Sequence, residues 1–349
     1  MPPAKKRQQK KPVGVTVAVT GPTGDIGKSV LRALDRSRDV KKVVGMARRP
    51  FDPASLGLKK TEYVQGDVTK REDVDALVKG ADVVVHLAFI ILSAGSDESR
   101  EINLRGSRNV FEAAVEAKAK RLVYASSVAA YGFHADNPQP LTEDVPTRGT
   151  EAHPYSAMKA EVEELLHEVL DDTATDPYVF RPCIVAGPDA LTLVDQIPYV
   201  RLGEKLPRVL RELFDSVPAL KPVLPDTGVP FQLVHHDDVA SAVRAAVAGR
   251  GEPGVYNLAG PGEITFKDFA DALGYYAIPV PDLAVDATAQ VVARLPFMPD
   301  EATWIEAARV PVLMDTAKAR RELRWRPQHD ALETLRETVA AAREDLEPA

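Results

Sequence analysis

Short runs of β-branched and aliphatic residues alternate along the first half of the chain with longer amphipathic stretches. Val13 to Thr20, Lys42 to Met46, Glu62 to Val64, Asp82 to Leu87, Arg121 to Ala125 and Pro177 to Phe180 read as strands. Helical spacing covers Lys28 to Arg36, Lys70 to Val78 and the stretch that starts at Tyr155 and runs through Glu161, Glu164 and Leu165. Strands that alternate with helices predict an α/β fold with a doubly wound parallel sheet and helices on both faces. From Gly187 to Pro230 the chain is proline-rich and irregular. A strand and helix follow over Phe231 to Ala248, then a strand over Val255 to Leu258, then helices and loops that close with a helix from Leu332 to Glu344. The expected division is a main domain over 13–186 to which 231–260 returns, and a smaller C-terminal substrate-binding lobe over 187–230 and 261–349. Ligand is expected where the C-terminal ends of the strands face that lobe.

A chain of 349 residues with 45% hydrophobic residues can bury a large core. The formal charge of -7 offers no general attraction for nucleic acid. Lys5, Lys6, Arg7, Lys10 and Lys11 make the start of the chain basic, and residues 1–12 are expected to form a disordered tail. That basic stretch is not followed by the apolar run of a secretory signal, and no segment approaches a membrane span, so a cytoplasmic protein is expected. Cys183 is the single cysteine and reads as an apolar filler, which leaves no intrachain disulfide and no cysteine metal cluster.

The first strand runs directly into Gly21-Pro22-Thr23-Gly24-Asp25-Ile26-Gly27, which opens a helix. In that setting Gly21 and Gly24 permit a tight turn and close approach of a pyrophosphate, and Gly27 lets the helix pack on the strand. The amides of Thr23, Asp25 and Ile26 lie at a positive helix N-terminus suited to phosphate. The domain therefore reads as a Rossmann dinucleotide-binding fold. At the end of the second strand stands Ala47-Arg48-Arg49 rather than an acid for the ribose hydroxyls. Arg48 can pair with a 2′-phosphate and Arg49 can assist or stack on adenine, which favours NADP; stacking alone would suit NAD equally. Gly66-Asp67-Val68 ends the third strand, with Asp67 placed to accept from the adenine amino group or to cap the following helix.

Tyr155 and Lys159 lie one helical turn apart on one face. A phenol ionises near pH 10, so it becomes a useful base only when a cation stabilises the phenolate, and Lys159 is placed to do so. Tyr155 then exchanges a proton with a substrate hydroxyl while hydride passes to or from a nicotinamide. The strand Arg121 to Ala125 ends in Ser126-Ser127, and Ser127 can hydrogen-bond the substrate oxygen or simply cap a turn.

With Gly66-Asp67-Val68, His86-Leu87-Ala88, Asn103-Leu104-Arg105-Gly106, Arg181-Pro182, Val234-His235-His236-Asp237-Asp238-Val239-Ala240 and Trp325-Arg326-Pro327, these motifs stand in the order found in one family. The chain resembles an extended short-chain dehydrogenase/reductase of the NAD(P)-dependent epimerase/dehydratase group. The resemblance implies that Asn103 positions a water near Lys159, that Leu87 and Ala88 line the cofactor, and that Pro182 and Ile184 pack near the nicotinamide. It also implies a homodimer through the helices containing Glu101 to Ala117 and Tyr155 to Leu170.

Val128 and Ala129 occupy the positions where dehydratases of the group carry an acid pair, and Phe231 stands where nucleotide-sugar epimerases place an arginine for the diphosphate. Arg201, Arg208 or Arg211 can compensate from elsewhere. Leu191, Leu193, Ile197, Leu213, Phe214, Phe297, Met298 and Trp304 suit an apolar alcohol or ketone as well as plain packing. The leading expectation is a dehydrogenase or reductase of a secondary alcohol or ketone. Its rival is a nucleotide-sugar epimerase of the UDP-sugar 4-epimerase type. From another class comes a non-catalytic NADP(H) sensor, although such proteins commonly lose the tyrosine and lysine. No metal is expected, because neighbours on a strand, such as His235 and His236, point to opposite faces, and an Asp there caps the helix Val239 to Val247.

Overall fold

A computed structural model describes residues 14–90, 96–195, 221–279 and 310–346. The basic tail, the compensating arginines 201, 208 and 211, and Ile197, Leu213, Phe214, Phe297, Met298 and Trp304 lie outside the described residues.

Seven parallel strands form the main sheet: β1 (Val15–Thr20), β2 (Val40–Ala47), β3 (Thr61–Gln65), β4 (Val83–His86), β5 (Arg121–Ala125), β6 (Asp176–Pro182) and β10 (Gly254–Leu258). Their spatial order is β10-β6-β5-β4-β1-β2-β3. The winding direction reverses between β1 and β4, so the ends of these two strands flank the crevice where an open α/β sheet takes its ligand. β2 starts at Val40, two residues before the hydrophobic run suggested. β4 is shorter than the run, stopping at His86.

Both faces are covered, and the strand period of two decides which residue goes where. Val17, Val19, Val83, Val85, Val123, Tyr178 and Phe180 point to one face and pack with Val30, Leu31 and Leu34 of α1 (Gly27–Arg36) and with Val239 and Val243 of α6 (His236–Val247). Ala18, Val84, Leu122, Tyr124 and Val179 point to the other. There they meet Val74 and Leu77 of α2 (Arg71–Val78), Val110 and Phe111 of α3 (Ser96–Glu116), and Val162 and Leu166 of α4 (Pro154–Leu170). Burial of each such aliphatic side chain contributes roughly 1.5–3 kcal/mol.

A third cluster forms a smaller lobe around two short parallel sheets, β7 (Ile184–Ala186) with β9 (Leu233–His235) and β8 (Val223–Asp226) with β11 (Tyr276–Pro279). α5 (Thr192–Asp195), α7 (Phe266–Leu273) and the C-terminal α9 (Ala331–Leu346) pack there, with Leu233, Phe269 and Leu335 buried among them. The segment 187–230 is thus not wholly irregular, since α5 and β8 fall within it. Of the returning segment 231–260, β10 joins the main sheet and β9 pairs with β7.

The Val234 to Ala240 stretch departs from the expected geometry. The strand ends at His235 and the helix begins at His236, so the two rings do not part to opposite faces; their centroids lie 4.1 Å apart. Asp238 is not the helix cap. Nδ1 of His235 caps the helix by accepting from the Asp237 amide, while buried Asp238 accepts from the amides of Gln328 and His329. The indole of buried Trp325, which follows α8 (Ala317–Glu322), donates to the Asp238 carbonyl, so the C-terminal segment is tied to α6.

Candidate active site

At the end of β1 the chain turns with Gly21 at φ +70°, and a Cβ there would lie 2.7 Å from the Ala88 amide nitrogen. Only glycine meets both demands. A Cβ on Gly27 would overlap the Gly21 carbonyl at 2.4 Å, whereas one on Gly24 would meet nothing closer than 3.6 Å, so the turn is open above Gly24. No side chain caps α1 at Ile26. Among the described residues no backbone carbonyl takes the amides of Asp25 and Ile26. An open glycine turn leading into an uncapped helix start fits the pyrophosphate of a dinucleotide. Asp25 also accepts from the Thr192 hydroxyl at 2.6 Å, linking the turn to the lobe.

Arg48 and Arg49 are exposed beyond β2; their carbonyls accept from Gln65 and Tyr63, which leaves the side chains to solvent. Asp67 does not cap α2, whose N-cap is Lys70. One Asp67 oxygen accepts from both the amide and hydroxyl of Thr69 at 2.9 Å, and the nearby Arg48 charge helps hold the carboxyl below its usual range. Val68 is half-buried beside it. At the end of β4 the Leu87 and Ala88 amides donate to the Thr20 carbonyl and hydroxyl. Pro182 pairs in register with Leu258, and Ile184 with Leu233.

The proposed chemistry clusters at the C-terminal end of β5. Ser127 accepts from the Ala129 amide at 3.2 Å, capping the short 3-10 turn 128–131, and its hydroxyl is also hydrogen-bonded to Tyr155. The hydroxyl that caps the turn thus also reaches Tyr155. Burial raises the Tyr155 phenol above its usual range, and the Ser127 bond opposes that. Ser156, fully buried, fixes the start of α4 against this turn by donating to the Ala129 carbonyl at 2.6 Å and accepting from the Thr150 amide at 3.0 Å.

Lys159 is 3% exposed, and burial depresses its ammonium to about 7. It donates to the Ala125 carbonyl at 2.9 Å and lies 3.4 Å from the Tyr124 hydroxyl; the Phe89 ring centroid is 3.7 Å from Nζ, the Tyr155 ring centroid 5.8 Å. Asn103 spends both polar atoms on Ile90, accepting from its amide at 2.9 Å and donating to its carbonyl at 3.0 Å. A further Nδ2 N–H faces Met158 Sδ at 3.7 Å, which leaves the remaining lone pair of Oδ1 for a water.

Two residues of this cluster were missed in the sequence. Glu163 extends the Tyr155, Lys159 series by a further turn, and it accepts from Ser126 and, in a fork, from Arg181. Phe89 carries no local signal, since its contact with Lys159 depends on a loop end meeting a helix. Away from this cluster, ligand atoms of His235, His329 and Glu337 lie within 4.8 Å of one another. Nδ1 of His235 accepts an amide proton, so its neutral ring carries hydrogen on Nε2 and has no lone pair there for a metal.

The model of the NAD-dependent epimerase/dehydratase family matches residues 17–259. Human 3 beta-hydroxysteroid dehydrogenase type 7 is 33% identical over 165 residues, a stretch that is 43% of each chain. The fold matches that of the Bordetella bronchiseptica enzyme WbmH, in complex with NAD+, with TM-score 0.69 at 21% identity, covering 95% of this chain and 99% of that one. It also matches UDP-glucose 4-epimerase of Thermotoga maritima with TM-score 0.70 at 20% identity, covering 95% and 100%. The chain spans less than half the length of the human relative. It belongs to the NAD-dependent epimerase/dehydratase family.

Proposed function

We propose that the protein is an NAD(P)-dependent dehydrogenase or reductase that interconverts a secondary alcohol and a ketone. The observation that carries this reading is the hydrogen-bonded pair of Ser127 and Tyr155 at the C-terminal sheet edge, with Lys159 buried one turn along the same helix. The dinucleotide, when bound, supplies the hydride acceptor or donor. Tyr155 takes the substrate hydroxyl proton in oxidation and returns it in reduction. Ser127 donates to the substrate oxygen, and Lys159 supplies the positive charge that favours phenolate. Arg48, exposed with no acid at the end of β2, favours NADP over NAD. The face formed by α3 and α4 is the proposed homodimer contact.

Substrate anchoring supports an apolar alcohol over a nucleotide sugar. Phe231 packs on Phe266 with ring centroids 5.3 Å apart, and its backbone bridges to Ile264, so an apolar pair stands where a diphosphate needs a cation. The name of the human relative, a hydroxysteroid dehydrogenase, points toward the same substrate class. Calorimetric titration of uridine diphosphate into protein saturated with NADP or NAD tests this. No heat of binding is expected; saturable binding would favour the epimerase.

A further inference from the structure

Among the described residues Lys159 meets no carboxylate directly. Of its three N–H bonds, one is spent on the Ala125 carbonyl, a second faces the Tyr124 hydroxyl, and the Phe89 ring covers Nζ at 3.7 Å. The titratable groups around it are few. From α4 come Glu163, ion-paired with Arg181 yet still favouring the Lys159 charge, and Tyr155; from β5 comes Tyr124, whose phenol burial raises; from β4 comes His86, which burial holds neutral and depresses to about 3. The Glu163 charge favours the ammonium without touching it, and the face of an aromatic ring can add to that as a neutral, electron-rich partner in direct contact.

The ring is anchored independently of the lysine. Asn103, from α3, clamps both backbone groups of Ile90, the residue after Phe89, and is itself 4% exposed. The Ala88 amide donates to the Thr20 hydroxyl on the other side of Phe89. Phe89 thus sits between two fixed backbone points, edge-on to the Tyr155 ring at a centroid distance of 5.8 Å.

We propose that Phe89 is a positioning residue, whose ring face holds the Lys159 ammonium charged and in place beside Tyr155, with Asn103 fixing the ring through the Ile90 backbone. This rests on Lys159 being the lysine of the proposed reaction, but its physical content belongs to the cofactor-free protein. A desolvated cation–π contact is strong enough to move the proton affinity of a lysine by about one pH unit, or about tenfold in the ratio of ammonium to amine.

The test is a pH titration of the Lys159 ε-carbon by NMR in cofactor-free protein with labelled lysine, assigned with Lys159→Met. Phe89→Leu keeps apolar volume and removes the ring face; its Lys159 should titrate about one unit lower than in the wild type. Phe89→Trp should titrate at or above the wild-type value. Stepwise fluorination of the phenylalanine at 89 keeps the shape, weakens the ring face and should lower the titration in proportion, which serves if Phe89→Leu does not fold. An unchanged titration in Phe89→Leu or in the fluorinated series, or equal lowering by Leu and Trp, would overturn the proposal. A titration that shifts as expected in a protein whose turnover ignores Tyr155→Phe would sustain the Phe89 assignment and discard the proposed function instead.

Discussion

Replacing Glu163 with leucine removes the only counter-charge, among the described residues, of the Arg181 guanidinium, which is itself almost fully buried. The side chains of Arg181 and Glu163 are 5% and 1% exposed, and three contacts of 2.6 to 3.2 Å join them. Ser126 loses its acceptor at the same time. Removing one partner of a buried pair costs about 3–5 kcal/mol, because the other charge stays in the core without compensation. That is a large share of the roughly 5–15 kcal/mol that holds a typical domain together. Urea unfolding followed by the fluorescence of buried Trp325 measures the cost as a drop in midpoint. Arg181→Met alone should cost a similar amount, and Glu163→Leu with Arg181→Met should recover most of the loss. A penalty below about 1 kcal/mol for Glu163→Leu, or a double variant as unstable as the sum of the singles, would refute the electrostatic reasoning.

Gly21→Ala should lower stability by more than about 1 kcal/mol and abolish dinucleotide binding, since φ is +70° and the new Cβ would sit 2.7 Å from the Ala88 nitrogen. Gly24→Ala should leave stability intact and weaken only the binding, as followed by nucleotide fluorescence. Arg48→Ala should cost roughly ten- to a hundredfold in NADPH affinity and little in NADH affinity; equal losses would remove the case for NADP. His86 is depressed from 6.5 to about 3 by burial, so on acidification the unfolded chain takes up the proton first. Its contribution is fully present above about pH 6.5 and is lost toward pH 3, at up to about 1.4 kcal/mol per pH unit. His86→Gln should flatten the measured slope of unfolding free energy against pH across that window.

The parallel sheet was legible because each strand alternates sides, and the buried runs around Val17, Val84, Val123 and Val179 are too apolar to be anything but covered strands. The glycine turn was legible because its spacing carries its own geometry, and the Tyr155, Lys159 pair because one helical turn fixes it. Less was visible wherever function depends on a partner distant in sequence. Phe89 meets Lys159 across 70 positions, and Arg181 meets Glu163 from a neighbouring strand. At His235 the local rule misled, because it assumed an uninterrupted strand where a helix already begins. Phe231 was read for the cation it lacks, and its pairing with Phe266 became visible only once the bridge between Phe231 and Ile264 brought the two segments together.

In the proposed reaction Tyr155 exchanges a proton while hydride passes between a secondary alcohol or ketone and a dinucleotide that is then released. It is tested most directly by offering the wild type and Tyr155→Phe a panel of apolar secondary alcohols deuterated at the carbinol carbon, with NADP, and following deuterium into free NADPD by NMR. Label is expected in the released cofactor with at least one alcohol, with that transfer lost by several orders of magnitude in Tyr155→Phe while NADP binding is unchanged. Transfer that survives in Tyr155→Phe, or label that never leaves the protein and returns to the substrate carbon with inverted configuration, would contradict it.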